Sequence, residues 1–190
     1  MDNLGLTGEG VEVGVRRGHF SQHILHNWSG KKLHLVDPWM AQDSGLYNDV
    51  SNMPQATHDD NLQHVISMLD EFAGGRFEIH RDYSVNAAKK FPDNSLDFVY
   101  VDARHDYSGC LEDLIAWYPK LKEGGMIAGH DFIPDQVKKV EGEFGVQKAA
   151  MEFSLKVGRE LQSISSKTLA GGREEPQRVD GGWTTFYWFK

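Results

Sequence analysis

Short runs of apolar and β-branched residues alternate along the chain with longer segments in which apolar residues recur every three or four positions. The short runs predict strands and the longer segments predict helices. This alternation is typical of a mostly parallel sheet with helices on both faces. The predicted strands are 11–15, 33–36, 77–80, 96–101, 126–129 and 183–189, and the predicted helices are 19–28, 58–72, 84–90, 107–121 and 142–155.

The order of these elements predicts one doubly wound α/β domain over residues 1–190. Five βα-type units precede a terminal pair of strands, which gives a mostly parallel seven-stranded sheet with an antiparallel C-terminal strand. The stretch 40–57 is polar and without clear periodicity, and a connection of that length is unusual unless it has a function. We therefore predict a lid or substrate loop at 40–57, and an exposed connection at the Gly-rich stretch 166–180.

Composition and charge narrow the classes of partner. Lysine and arginine number 20 against 28 acidic residues, so the net charge is −8, opposite to that of a protein that neutralises phosphates. No apolar run approaches the roughly 18 residues needed to cross a bilayer, and residues 1–10 lack the pattern of a secretory signal. One cysteine excludes an intramolecular disulfide. We expect a cytoplasmic protein that binds a small molecule, and neither nucleic acid nor a membrane.

A glycine-containing loop joins the first predicted strand to the first helix, with the pattern Glu12-x-Gly14-x-x-x-Gly18. Glycines allow a tight turn and a close approach to a ligand, and the helix N-terminus offers free N–H groups. The spacing differs from that of dinucleotide-binding loops, because Arg16 stands where a second glycine would be. The pattern indicates a nucleotide-type loop, although a simple βα turn explains it equally well.

Acidic and aromatic residues follow the next two predicted strands. Asp37 ends the second strand about 20 residues after the glycine loop, where an acid can accept both hydroxyls of a ribose. Asp82, Tyr83 and Ser84 follow the third strand, where polar groups can bind an adenine amino group and Tyr83 can pack on a ring. The alternatives are a strand-ending turn at Asp37 and a helix N-cap at Asp82 or Ser84.

The most informative residues follow the fourth and fifth predicted strands. Asp102 and His105 come after one buried strand, and His130 and Asp131 come after the other. Open α/β sheets bind ligands at the carboxyl edge, so these four side chains are expected to face one crevice. Carboxylates and imidazoles can hold a divalent metal and remove a hydroxyl proton. The alternative is that the aspartates cap helices and the histidines are solvated.

Taken together, these motifs resemble the class I S-adenosylmethionine-dependent methyltransferases. The resemblance is to the small-molecule group that includes the catechol-type, macrolide-sugar and cephalosporin-biosynthesis O-methyltransferases. It covers nearly the whole chain and is most specific over residues 96–132. The matching pieces are Glu12-x-Gly14-x-x-x-Gly18, Asp37, the turn Asp82-Tyr83-Ser84, Val101-Asp102-x-x-His105-x-Tyr107, and the segment from Leu121 to Asp131.

The resemblance implies an S-adenosylmethionine site and a chemistry for the crevice. It implies that Asp102, His130 and Asp131 bind Mg²⁺ or another divalent metal, and that His105 is the general base that takes the proton of a small-molecule hydroxyl. His130 stands where metal-dependent relatives usually have an acidic residue, and Arg16 replaces a residue that is often small. The implied cofactor-binding residues are Glu12 and Gly14 near the methionine part, Gly18 in the same loop, Asp37 on the ribose, Asp82 or Tyr83 by the adenine, and Asp102.

Three alternatives to this function stay open on the sequence alone. A metal-independent methyltransferase would use the same histidines only to orient its acceptor. A nicotinamide-dependent oxidoreductase is disfavoured by the glycine spacing and by the aromatic terminal strand. A catalytically inactive binding module would not bind the cofactor. The sequence leaves open the identity of the acceptor and whether the chain forms a homo-oligomer.

Overall fold

Strands and helices alternate along the chain in the computed structural model, which describes residues 1–45, 47, 49, 51–133, 144–164 and 184–190. The strands are β1 (Glu9–Val13), β2 (Lys32–Asp37), β3 (Phe77–Arg81), β4 (Leu96–Val101), β5 (Leu121–Gly129), β6 (Gln162–Ile164) and β7 (Thr185–Phe189). The α-helices are α1 (His19–Asn27), α2 (Gln55–Met68), α3 (Ser84–Ala88), α4 (Tyr107–Trp117) and α5 (Val146–Lys156), with 3₁₀ turns at Asp2–Leu4, Asp70–Phe72 and Tyr118–Lys120.

The seven strands form one sheet in the order β3-β2-β1-β4-β5-β7-β6. The first five strands run parallel, and β7 is antiparallel to both β5 and β6. This arrangement confirms the predicted fold. The strand order reverses between β1 and β4, and the carboxyl ends of strands at such a switch point border a ligand-binding crevice in open α/β sheets.

Two apolar clusters lie on opposite faces of the sheet and explain why its central strands are apolar on both sides. Helices α3, α4 and α5 cover one face, where Val11 and Val13 pack with Trp117. Helices α1 and α2 cover the other, where Ile24 and Val65 pack in one cluster with residues of β2 and β4. A strand covered on both faces buries all its side chains, and β2 shows four consecutive buried residues.

Several element boundaries differ from those predicted, for identifiable reasons. Strand β1 begins and ends two residues earlier than 11–15, because Gly14 turns the chain with φ 90°. Helix α4 ends at Trp117 and not at 121, because a 3₁₀ turn that contains Pro119 follows it. Strand β5 begins at Leu121 and not at 126, since Leu121 already pairs with Leu96 of β4 and the register then shifts before Met126 pairs with Phe98.

The connection predicted at 40–57 is shorter at its C-terminal end, because α2 begins at Gln55 instead of 58. The predicted strand at 183–189 corresponds to β7. Strand β6 lies in the stretch 157–165, to which the sequence pattern assigns no definite element. The predicted connection at 166–180 and the first residues of the predicted helix 142–155 lie outside the described residues. Within the described part of the chain, no helix combines the length and the apolar character needed to span a membrane.

Candidate active site

Hydrogen bonding across the sheet places the predicted site residues in one row at its carboxyl edge. Val13 of β1 pairs with Val36 of β2 and with Val101 of β4, and Val101 pairs with Gly129 of β5. The residues that follow this row along their strands are Gly14, Asp37, Asp102 and His130. The structure therefore brings together residues that are far apart in the sequence, as predicted for one crevice.

The glycine loop packs directly against the end of β4. Gly14 has φ 90°, and a Cβ at this position would lie 1.8 Å from the backbone oxygen of Asp102. Gly18 has φ 75° and precedes α1, and a Cβ there would lie 3.0 Å from Cγ2 of Val65. Arg16, between them, has φ 52°, a left-handed backbone conformation that residues other than glycine rarely adopt. The loop is thus a tight turn that requires glycine at both predicted positions, and its contact with a cofactor stays a prediction.

Glu12 lies beneath the loop and is only 2% exposed. Ser21 Oγ donates a 2.5 Å hydrogen bond to Glu12 Oε2. Burial raises the pKa of Glu12 to about 8 and the charges of Asp102 and Asp37 raise it further, against the lowering effect of Ser21. The carboxyl is therefore mostly protonated at neutral pH, and a cation placed beside it would favour its ionised form.

Asp37 fixes the glycine loop through its side chain. Its Oδ2 accepts hydrogen bonds from the backbone N–H groups of Val15 (3.0 Å) and Arg16 (2.9 Å), and its Oδ1 accepts one from Trp39 (2.7 Å). Burial raises the pKa of Asp37 although these bonds oppose the shift. Each carboxylate oxygen has more than one lone-pair site, so the loop contacts leave room for a ribose hydroxyl. The predicted ribose contact is compatible with this geometry and stays a prediction.

The turn after β3 presents an aromatic ring to solvent. Asp82 accepts hydrogen bonds from Lys90 Nζ (2.7 Å) and from the N–H of Tyr83 (2.9 Å), and Lys90 lowers the pKa of Asp82. Neither Asp82 nor Ser84 is the N-cap of α3, and Ser84 Oγ instead accepts a bond from Trp117 Nε1 (2.9 Å). The Tyr83 ring is 43% exposed and its hydroxyl lies 3.5 Å from Sδ of Met40. This exposed ring is suited to stacking on a planar ligand.

His105 lies between two carboxylates. Its Nδ1 is 2.6 Å from Asp49 Oδ2 and its Nε2 is 3.0 Å from Asp131 Oδ2, while its ring stacks on Phe144 at 4.9 Å between centroids. Burial by itself would lower the pKa of His105, but the hydrogen bonds and charges of Asp131 and Asp49 raise it to about 10. In this arrangement His105 is an imidazolium, so it holds a proton and cannot accept one.

His130, Asp131 and Asp102 complete the cluster. His130 Nδ1 lies 3.1 Å from Asp131 Oδ1 and 4.0 Å from Asp102 Oδ1. Burial would raise the pKa of Asp131, but His105 and His130 lower it well below its ordinary value. Burial, with the neighbouring charge of Asp131, raises the pKa of Asp102 to about 6, although His130 opposes that shift. The cluster thus combines a firmly ionised carboxylate with a carboxyl that titrates near neutrality.

A divalent metal fits this cluster by its donor set. Asp102, His105 and Asp131 each offer a ligand atom, and these atoms lie within 4.8 Å of one another. Two carboxylates that share one site repel each other, and a bound cation would relieve that repulsion. The predicted ligand set had His130 where this geometric group has His105. His130 lies beside Asp131 but outside this group, so its predicted role as a ligand stays a prediction.

Asp49 is a site residue that the sequence reasoning missed. It belongs to the connection between β2 and α2, where no periodicity or motif singles it out. Its carboxylate reaches His105, and Ser51 Oγ donates a 2.7 Å hydrogen bond to its other oxygen. Burial would raise the pKa of Asp49, but His105 and Ser51 lower it to about 2. The connection therefore contacts the cluster of His105, His130, Asp131 and Asp102, and its role as a lid or substrate loop stays a prediction.

Trp39, just before the predicted lid at 40–57, and Tyr47, within it, differ in their surroundings. Trp39 is fully buried, and its Nε1 donates a 2.9 Å hydrogen bond to the backbone oxygen of Arg16. It therefore belongs to the packing of the loop and not to an acceptor-binding surface. The Tyr47 hydroxyl lies 2.9 Å from Ser51 Oγ, and burial raises the pKa of Tyr47 to about 12.

Comparisons with known proteins identify the family through a sequence model and the fold through solved structures. A family model described as a methyltransferase domain matches residues 11–132. A precorrin-6y C5,15-methyltransferase from Geobacter metallireducens has a TM-score of 0.62 at 12% identity, covering 100% of this chain and 84% of its own. An rRNA methylase from Streptococcus thermophilus has a TM-score of 0.59 at 12% identity, covering 100% and 92%. SMU.1697c from Streptococcus mutans, solved in complex with SAH, has a TM-score of 0.58 at 10% identity, covering 96% and 88%. No curated protein matches the sequence.

Proposed function

This chain belongs to the class I S-adenosylmethionine-dependent methyltransferases, and on that premise we propose that it methylates a hydroxyl group of a small molecule. The observation that carries the proposal is the cluster of Asp102, His105 and Asp131 beside the glycine loop. It supplies polar, titratable groups at the switch point of the sheet, next to the loop expected to hold the cofactor. Asp49 reaches the same cluster from the connection that covers it.

The cofactor is proposed to lie along the row of strand ends. Its methionine part would contact Glu12 and Gly14, and Gly18 would keep the loop in the shape that admits it. Asp37 would accept the ribose hydroxyls, and the exposed ring of Tyr83 would pack near the adenine. The positive sulfonium and ammonium groups of the cofactor would favour the ionised form of Glu12, whose pKa burial raises to about 8.

In this reaction the protein has two main tasks, which are to align the acceptor oxygen with the methyl carbon and to remove the hydroxyl proton. The acceptor oxygen attacks the methyl carbon, the bond from that carbon to sulfur breaks, and the hydroxyl proton leaves to a base. We propose His105 as that base. A divalent cation on Asp102 and Asp131 would lower the pKa of the acceptor hydroxyl. With the charge of Asp131 neutralised, the pKa of His105 would fall from about 10 towards the range of a working base.

A small acceptor is favoured over a nucleic acid by the charge of the chain. The net charge is −8, and the cluster itself contains the carboxylates of Asp49, Asp102 and Asp131. A phosphate backbone would be repelled at this surface, whereas a neutral hydroxyl compound would not. The charge therefore supports the proposal of a small-molecule acceptor.

One observation favours a second candidate, a metal-independent methyltransferase. Both ring nitrogens of His105 already have carboxylate partners, so its positive charge already faces Asp49 and Asp131 without a metal ion. In that case His105, as an imidazolium, orients the acceptor only through the carboxylates of Asp49 and Asp131 that it holds in place. The carboxyl of Asp102, whose pKa burial raises to about 6, would then be the group that takes the proton.

Both candidates are tested by following the labelled methyl group of S-adenosylmethionine. The acceptors are a panel of phenols and sugars, with their amino analogues and a structured RNA as comparisons. We expect label to enter hydroxyl compounds, to be lost in Asp131→Asn, and to require Mg²⁺ or Mn²⁺ after treatment with a chelator. Activity that survives the chelator would select the metal-independent candidate. Label in the RNA or only in the amino analogues would contradict the proposal.

A further inference from the structure

A second cluster of metal-ligating side chains lies on the sheet away from the active-site crevice. His34 of β2 is paired in register with Glu78 of β3, and His80 follows two positions later on the same face of β3. These three residues each offer a ligand atom, and the atoms lie within 4.8 Å of one another. The methyl-transfer chemistry makes no use of this cluster, and its residues precede the carboxyl edge along their strands.

We propose that His34, Glu78 and His80 bind a transition-metal dication of the Zn²⁺ type, and that this metal holds the edge strand β3 against β2. Two imidazoles and a carboxylate are a ligand set that suits Zn²⁺ and its neighbours, whereas Mg²⁺ prefers oxygen alone. The bound metal would therefore be distinct in kind from the hard cation considered for the active site.

The separations of the ligand atoms support the proposal. His34 Nδ1 lies 2.9 Å from His80 Nε2, and His80 Nε2 lies 3.8 Å from Glu78 Oε1. Two nitrogens on one tetrahedral Zn²⁺ are about 3.3 Å apart, given Zn–N distances of about 2.0–2.1 Å. The two imidazoles therefore need to separate by only about 0.4 Å to admit the ion, which a small rotation of either ring supplies.

The neighbouring residues prepare His34 to be a ligand. Glu9 Oε2 lies 3.2 Å from His34 Nε2, on the opposite side of the ring from Nδ1. A carboxylate at this position accepts a hydrogen bond from Nε2–H and leaves the lone pair on Nδ1, which is the usual way in which proteins orient a metal-binding imidazole. His34 is only 6% exposed and Phe91 packs on its ring edge to face at 4.9 Å, so the ring is held in place.

The charges around the cluster also permit a cation. Lys32 Nζ pairs with Glu78 Oε2 at 2.9 Å, which leaves Oε1 directed at His80. The charges of Lys31, Lys32 and Lys90 oppose a cation, and the carboxylates of Glu9 and Glu78 offset two of them.

The test uses Co²⁺ as a spectroscopic probe on the full chain, after metal has been removed with a chelator. Tetrahedral Co²⁺ with nitrogen ligands absorbs visible light much more strongly than octahedral Co²⁺. We expect one equivalent to give the tetrahedral spectrum, Zn²⁺ to displace it, and Mg²⁺ in excess to leave it unchanged. Absence of a tetrahedral spectrum, with His34 and His80 forming a hydrogen-bonded pair only, would overturn the proposal.

Variants assign the signal to this cluster. We expect Glu78→Gln and His80→Asn each to weaken Co²⁺ binding by at least about 100-fold, and Glu9→Gln by about 10- to 100-fold. The matched control is His23→Asn, which removes an exposed histidine from α1 and should leave the affinity unchanged. Circular dichroism checks that each variant is folded, and the half-exposed Glu78 provides a change that spares the core.

A last variant separates this site from the active site. Asp131→Asn is expected to retain the tetrahedral Co²⁺ spectrum, because Asp131 belongs to the other cluster. Loss of the spectrum in Asp131→Asn, or its retention in both Glu78→Gln and His80→Asn, would refute the assignment. The spectrum requires no cofactor or acceptor, so the result is independent of the proposed methyl-transfer reaction.

Discussion

Substitution of Gly14 by alanine isolates the contact that joins the glycine loop to β4. The new Cβ would lie 1.8 Å from the backbone oxygen of Asp102, about 1.6 Å closer than an ordinary van der Waals contact. Asp102 directly follows β4, and its N–H donates a 2.7 Å hydrogen bond to the backbone oxygen of Val13, so its backbone cannot move aside alone and the loop must shift. Gly75→Ala is the matched control, because Gly75 has φ 91° and nothing within 4 Å of its added Cβ.

Both variants place alanine in a left-handed backbone conformation, but only Gly14→Ala brings the new Cβ against the backbone oxygen of Asp102. We expect Gly75→Ala to lower the free energy of unfolding by about 1–2 kcal/mol, and Gly14→Ala to lower it by about 1–3 kcal/mol more. Urea denaturation gives both values. Stabilisation by S-adenosylhomocysteine in a thermal melt should persist in Gly75→Ala and shrink sharply in Gly14→Ala. Equal destabilisation with equal ligand response would refute the role assigned to this contact.

Three further predictions concern titratable groups. Asp49→Asn removes a carboxylate partner of His105, so we expect the pKa of the His105 imidazole to fall by about one unit or more in an NMR titration. An unchanged pKa would show that Asp49 does not stabilise the imidazolium. Burial raises the pKa of Asp113 from 3.8 to about 7, so its contribution to stability is complete below pH 3.8 and is lost as the pH rises through 7. Urea unfolding should show the wild type losing about 1.4 kcal/mol per pH unit relative to Asp113→Asn across that window, and parallel curves would contradict this. Glu12 is mostly protonated without a ligand, so cofactor binding at pH 7 should release a proton. Calorimetry in buffers of different ionisation enthalpy detects this release, and Glu12→Gln should abolish it.

The sequence predicts the central elements well because both faces of the sheet are buried. β4 has the predicted bounds, since its apolar run ends where polar residues must reach the crevice. Boundaries failed where backbone geometry outweighs the side-chain pattern. Gly14 ends β1 early through its positive φ, and the turn at Pro119 divides a continuous apolar pattern between α4 and β5.

The candidate site is predictable as far as it follows strand ends. Asp37, Asp102 and His130 could be placed together because register fixes the end of each parallel strand. Asp49 could not be found, because its position depends on the tertiary path of an unpatterned connection. The grouping of His105 with Asp131 also depends on side-chain directions in the turn after β5, where Asp131 itself has φ 56°.

The cofactor site at the carboxyl edge of the sheet can be tested by calorimetric titration of the purified chain with S-adenosylmethionine and S-adenosylhomocysteine. The titrations are made with and without Mg²⁺ or Mn²⁺ after chelator treatment. We expect one equivalent of either compound to bind and each to compete with the other. We also expect Asp37→Ala to weaken the binding of both compounds. Failure of both compounds to bind under every metal condition would contradict a cofactor site at the carboxyl edge of this sheet.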